Sequence, residues 1–532
     1  MSLVDVPAGS LADAVRALYR ASYKLALASQ THHPLILPYS LLGPFIVPTL
    51  FLAIPHSAVR HPWRWRARWL VVAWVIWLDA NIIRTTKSGN MAVGYANGLM
   101  AFWGVISTMN VLIWRNAQRD AARVVRVQPR PPTRQAEKQP VENGIRQRKG
   151  HERSDQIDYE KPVQYVWQPF PEEGTFGERL NWALDMTTNF RFAGWNWSIS
   201  AIPRPKIPSH GSIEPNTPAD LSSLPVVTPT GYRRRLTESS FVRSRLLTAG
   251  IMYLILDFLA VHMTKDPYFI LGPDHPAASI LPLPLYLDGL PVWGLRIYRQ
   301  IFSLAGIISA ISGAFNLNDL MQYYIMGHLF PARGELWQYP STFGSFSQVL
   351  ERGLAGWWGG WWHQTFRSQF SAPARFLVRE GYLRHGSLAA VVVAFVVSFA
   401  QSGLLHAMGS ISSIPGDTKV WRAPAFFSLQ IVGVLVQYAV EIGLQRRTGI
   451  RVPRQAAQGT RLLFTMAWLH WTSDFLCHDL AGSGIWLLEP VPFSFFRMLG
   501  FGRESDRWWR WDEWHRPGWY TGRHWWQSGI SL

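Results

Sequence analysis

Imidazole is the side chain that exchanges a proton near neutral pH, and two histidines stand in company that could use it. His406 closes the run VVVAFVVSFAQSGLLHAMGS, an apolar stretch that turns polar at Gln401, Ser402 and His406. Ionisable residues inside an apolar span are costly and usually face a cavity. Ser402 lies one helical turn earlier and shares that face. A neutral imidazole there can accept a proton from an alcohol. The plainer reading is a helix-end histidine at the lipid surface. His363 sits in GLAGWWGGWWHQTFRSQF, where tryptophans such as Trp362 can wall an apolar tunnel while His363 and Gln364 offer hydrogen bonds inside it. Arg367, four residues on, shares its face if the segment is helical, and suits a phosphate. The plainer reading there is a Trp-rich interfacial helix.

Other groupings carry less. His470, Asp474 and His478 recur at four-residue spacing on one helix face, but the local sequence offers no fourth ligand, so no metal is expected. In ERLNWALDMTTNFRFAGWNW, Asp185 is expected to pair with Arg191 or cap a turn. No P-loop, GxGxxG, GxSxG or CxxC pattern has a fitting context, so no bound cofactor is expected. The single cysteine, Cys477, makes no internal disulfide.

The elements that must hold these residues read as membrane helices, which need about 20 largely apolar residues. Candidate spans are 35–55, 68–84, 92–114, 246–263, 297–316, 387–407, 423–444, 461–480 and 484–500. The first and last are broken by prolines. The expected fold is all-α and polytopic: eight or nine spans around a central tunnel, with short re-entrant or interfacial helices in the insert 330–385. Arginine clusters at 60–68, 115–126, 233–245, 446–454 and 503–510 fall on one face if there are nine spans, and that face is then cytosolic. The net charge of +18 and the 28 tryptophans therefore point to lipid headgroups, not nucleic acid. Residues 1–34 read as an N-terminal interfacial segment and 35–116 as the first three spans. Residues 117–174 read as a disordered basic connector, 175–202 as an ordered amphipathic segment and 203–232 as a Pro-rich linker. Residues 233–500 form the membrane core, and 501–532 an interfacial Trp/Arg tail.

Three blocks give the chain a resemblance. RLNWALDMTTNFRFAGWNW (179–197), ELWQYPSTFGSFSQVLERGLAGWWGGWWHQTFR (335–367) and SFAQSGLLHAMG (398–409) resemble elements of the fungal wax-synthase-like branch of the membrane-bound O-acyltransferase superfamily. HWTSD also has the HxxxD spacing of soluble plant-type acyltransferases, but their DFGWG motif is missing and the match falls in a span, so it is a decoy. The resemblance implies a catalytic His406 and a second polar position at His363. Trp362, Gln364, Arg367 and Ser402 would then contact substrate or acyl-CoA. This sequence departs from the family pattern at Trp357, at Gly360–Trp361 and at Phe192–Ala193. The resemblance further implies an endoplasmic reticulum enzyme moving an acyl group, acetyl first, from acyl-CoA to a hydroxyl on an apolar terpenoid or meroterpenoid. A long-chain wax-ester or sterol-ester synthase is the alternative, and a transporter or lipid-binding protein the non-enzymatic one. A transporter predicts internal repeats, and none is visible.

Overall fold

The structure is a computed structural model that describes residues 10–127, 164–208, 213–414, 418–448, 452–504 and 506–532. Helix α1 (Leu11–Ala28) buries Leu11, Ala12 and Val15 against Ile270, Leu271 and Leu487. Strands β1 (His33–Pro34) and β2 (Ile36–Leu37) follow. Prolines then break the next apolar stretch into a 3-10 turn, a π turn and α2 (Val47–Ala53). Next come α3 (Pro62–Thr85), β3 (Thr86–Lys87) and α4 (Met91–Met109), which a π turn extends to Trp114.

A cap of mixed structure follows. Strand β4 (Ala122–Val127) pairs antiparallel with β5 (Gln164–Pro169), which pairs with β6 (Thr217–Pro218). Between β5 and β6, helix α5 (Phe176–Thr187) starts at a capping box in which Thr175 and Glu178 satisfy each other's backbone N–H. The flanks of the stretch expected as a disordered connector are thus ordered strands; residues 128–163 lie outside the described residues. The Pro-rich stretch 213–232 is also packed: Leu224 and Tyr232 are buried, and Thr228 donates to the Ala201 carbonyl.

The membrane core comprises α6 (Glu238–Met263), α7 (Val292–Met321), α8 (Ser347–Gly356), α9 (Ala372–Arg379), α10 (Leu388–Ser412), α11 (Arg422–Thr448), α12 (Arg454–Thr472) and α13 (Asp474–Gly482). Strands β7 (Gly518–Tyr520) and β8 (Gly529–Ser531) end the chain, with β8 paired to β2. Among the described residues, five helices are long and apolar enough to cross a membrane: Met91–Trp114, Glu238–Met263, Val292–Leu329, Leu388–Ser412 and Arg422–Arg447. The insert before α10 holds short helices, as expected.

Polar contacts sort the helix ends into two groups. At one end Arg60 meets Glu172 (3.1 Å), Arg115 donates to the Ser368 carbonyl (3.2 Å) and Arg454 meets Glu351 (3.4 Å). At the other, Lys87 caps the end of α10 through the Ile411 and Ser413 carbonyls, and Asp274 holds Lys419 and Arg422. Residues 484–500 form no span. Gly484 turns left-handed (φ 72°), Ile485–Leu487 is a 3-10 turn, and Pro490 and Pro492 forbid helix until the short Phe495–Met498. The cluster at 503–510, expected beside the other arginines, therefore lies at the second end. There Arg503 pairs with Asp13 and Asp506, and Arg497 and Arg510 pair with Glu489. These carboxylates offset its charge, so it carries no orientation signal.

One contact places the site. Helices α4 and α10 touch so closely that a Cβ on Gly98 would stand 2.0 Å from the Met408 carbonyl oxygen. Ser412 donates to the Gly94 carbonyl (2.7 Å) and accepts from the Gly98 N–H (3.0 Å). Small residues allow such close backbone approach between membrane helices.

Candidate active site

His406 stands near the C-terminal end of α10. Its Nδ1 lies 2.9 Å from the Ser402 carbonyl oxygen. A carbonyl only accepts, so Nδ1 carries the proton and Nε2 keeps a lone pair. The group of Ser402 that meets the imidazole is its backbone carbonyl. The Phe427 ring of α11 packs on the imidazole at a centroid distance of 4.9 Å. The imidazole is half-buried.

His363 is reached from α8 through a π turn, Trp357–Trp361. Trp362 then turns extended (φ −60°, ψ 150°), and helix resumes only at Arg367–Phe370. Arg367 consequently does not share a helix face with His363, contrary to the spacing argument. Rings of Phe315, Phe343, Trp362 and Phe366 surround the His363 imidazole at centroid distances of 5.3–6.4 Å. Thr365 Oγ1 lies 3.1 Å from its Nδ1. Burial, reinforced by His406 and Arg191 nearby, pushes the His363 pKa down to about 3, so the ring is neutral at physiological pH. The Phe427 ring that packs on His406 also packs on Trp358, and Trp358 packs on Trp362 beside His363, so the two histidines share one aromatic neighbourhood, which their separation in sequence did not require.

The remaining expected residues divide. Trp362 is a wall, packed among Trp357, Trp358, Trp361 and Phe343. Gln364 has no free donor: its amide donates to the Trp358 and Trp362 carbonyls (2.8 and 2.7 Å), and its oxygen accepts from Arg367 (3.0 Å). It braces the loop and cannot hydrogen-bond a substrate through its N–H groups. Arg367 also donates to the Gly359 carbonyl and keeps an exposed face. Arg352, which sequence did not single out, comes to the same turn: its guanidinium lies 2.7 Å from where a Cβ on Gly360 would stand. Neither arginine has a carboxylate partner among the described residues.

Further corrections concern the flanking groups. Asp185 pairs not with Arg191 but with Arg123 (3.1 Å) and Arg333 (2.8 Å), all buried. Arg191 instead donates to the Ser341 carbonyl (3.0 Å), tying the 179–197 block to the strand of chain that leads to His363. His470 bonds Gln300 (2.6 Å) and Asp474 pairs with Arg296 (2.8 Å), so that face is occupied by α7. Among the described residues no cluster of three metal-ligating side chains forms.

Residues 339–429 match the model described as "Membrane bound O-acyl transferase family". The match spans both histidines, the tryptophan turn and Phe427. This segment is that of a membrane bound O-acyl transferase. The protein is therefore an acyltransferase enzyme, multi-pass in the membrane, and its relatives are fungal. It is 24% identical over 362 residues to Acetyltransferase ple2 of Rhodocybe pseudopiperita, covering 68% of this chain and 79% of that one. It is 24% identical over 242 residues to O-Mevalon transferase macI of Penicillium terrestre, covering 44% and 46% of the two chains. It is 29% identical over 140 residues to Acetyltransferase aurG of Calcarisporium arbuscula, covering 26% and 33%. The chain thus spans less than half the length of the second and third of these relatives. No solved structure matches the acyltransferase.

Proposed function

We propose that the acyltransferase moves an acetyl group from acetyl-CoA to a hydroxyl of an apolar secondary metabolite of terpenoid or meroterpenoid type, at the endoplasmic reticulum membrane, with His406 as general base. The observation that carries this reading is the His406 tautomer. With the Nδ1 proton committed to the Ser402 carbonyl, the Nε2 lone pair is left for an alcohol proton. The alcohol oxygen attacks the thioester carbon as its proton passes to Nε2. His363, with Thr365 donating to its Nδ1, presents an Nε2–H to the developing oxyanion. The C–S bond then breaks, and the CoA thiolate takes the proton back from His406. Arg352 and Arg367, without carboxylate partners among the described residues, suit the phosphates of CoA. The aromatic surround of both imidazoles suits an apolar acceptor.

The test is product analysis. Microsomes holding the protein receive labelled acetyl-CoA or palmitoyl-CoA together with hydroxylated terpenoids, long-chain alcohols and sterols. Acetylated terpenoid is the expected product. Esters formed only from palmitoyl-CoA would replace this reading with that of a wax-ester or sterol-ester synthase.

A further inference from the structure

We infer that Asp479 is a positioning residue for His406, acting through Tyr95 and Ser410; this rests on His406 being the base. Asp479, on α13, is fully buried. Among the described residues its carboxylate makes no ion pair. Arg422, the cation that acts on it, is held by Asp274 at 2.6 and 2.9 Å. Among the described residues its side-chain hydrogen-bond partners are two hydroxyls, one on the turn that carries the imidazole and one that reaches that turn from α4. Ser410, one helical turn after His406, donates to Oδ1. The Tyr95 hydroxyl, from α4, stands 3.5 Å from Oδ2 and 3.3 Å from the His406 carbonyl oxygen.

The Tyr95 ring also fixes the spacing. A Cβ on Gly409 would lie 2.8 Å from its edge, so ring and helix backbone are in direct contact. Three helices, α4, α10 and α13, therefore meet at the 406–410 turn, and among the described residues Asp479 is the one group bonded toward both hydroxyls. A carboxylate placed only to glue helices has no need to converge on that turn. The phenol has a single proton, so it serves the carboxylate or the carbonyl at any instant, and its position between them is what ties α13 to His406. A base displaced by 1 Å loses on the order of 100-fold in rate. The direction of Nε2 is therefore worth a buried anchor.

The experiment uses the full chain in membranes, with rates expressed per folded protein. Asp479→Ala is expected to lower kcat by about 10- to 100-fold while leaving KM for donor and acceptor within about threefold, because orientation and not binding is lost. Asp479→Asn is expected to recover to within about fivefold of the parent. Its amide oxygen accepts from Ser410 and its NH2 donates to the phenol oxygen, freeing the phenolic proton for the His406 carbonyl. Tyr95→Phe, a mild change that keeps the ring, is expected to lower kcat by up to about tenfold. Parent-like kcat in Asp479→Ala overturns the inference, as does an Asn variant as impaired as the Ala variant. Should Asp479→Ala fail to accumulate, parent-like kcat in Tyr95→Phe overturns it alone. A His406→Gln protein run alongside separates the two layers: activity there removes the base itself, whereas an inactive His406→Gln with an unaffected Asp479→Ala removes only the anchor.

Discussion

Replacing His406 by Gln keeps a polar side chain of similar reach while removing the basic lone pair on Nε2. Among the described residues the imidazole makes one hydrogen bond, to the Ser402 carbonyl, and one ring contact, with Phe427. Losing a single neutral hydrogen bond costs about 1 kcal/mol, and the amide can replace part of it. Folded protein should therefore accumulate at close to the parent level. Turnover should not survive. A positioned general base contributes about 10²- to 10⁴-fold, or roughly 3–5 kcal/mol at 1.36 kcal/mol per decade. The assay is transfer of labelled acetyl to a terpenoid alcohol in membranes, normalised to monodisperse protein measured by fluorescence-detected size exclusion. A variant that is well folded and keeps more than about a tenth of parent turnover refutes the general-base assignment.

Removing Arg352 or Arg367 by Ala substitution should raise KM for acyl-CoA about tenfold, as expected for one charge-assisted phosphate contact. A small thioester such as S-acetyl-N-acetylcysteamine should be unaffected, and equal effects on both donors would sink the phosphate assignment. Asp185→Ala strands two buried guanidiniums, Arg123 and Arg333, at a cost of about 3–5 kcal/mol, so the variant should fail to accumulate. A parent-like melting midpoint for it would show that the ion triad contributes nothing. Acid should weaken the fold. The folded pKa is pushed down to about 3 at His363 and about 4 at His56, chiefly by burial at both, against an unfolded value near 6.5. Below pH 6.5 the unfolded chain takes up protons that the folded one refuses, so stability is complete above that pH and falls as pH drops toward 4. The loss is at most about 2 kcal/mol per histidine at pH 5. Thermal melts in detergent at pH 5.0 and 7.5 check this, and His363→Asn should flatten the difference.

Sequence made the long helices and the two histidines legible for good physical reasons. Spans announce themselves by apolar length, and an imidazole among valines is conspicuous. It misplaced groups whose role depends on where the chain stops being helical. Arg367 was put on the His363 face because a four-residue spacing implies a turn, but Trp362 is extended and the turn is absent. The stretch 484–500 was apolar enough to suggest a span, yet its prolines mattered more than its hydropathy. Gln364 looked like a ligand donor because side-chain chemistry is visible in sequence and its consumption by nearby carbonyls is not. Asp479, Tyr95 and Phe427 gave no signal at all, since each matters only through a neighbour far away in the chain. Arg191 lay within a recognised block, but its partners are carbonyls of Pro340 and Ser341, which no pattern of residue types reveals.

The backbone hydrogen bonds that join Ile36 and Leu37 to Ile530 and Ser531 impose a parity rule. Strands cannot pair through 30 Å of hydrocarbon, so both must emerge on one side of the bilayer. Between them the chain has to traverse an even number of times. The register of His33–Pro34 with Thr86–Lys87 makes the same demand locally: the proline-broken stretch around α2 and the helix α3 must go over and come back together, or neither does. A tally of eight obeys both conditions and a tally of nine breaks the first. Glycosylation or protease reporters inserted beside residues 37 and 529 should accordingly always report the same compartment.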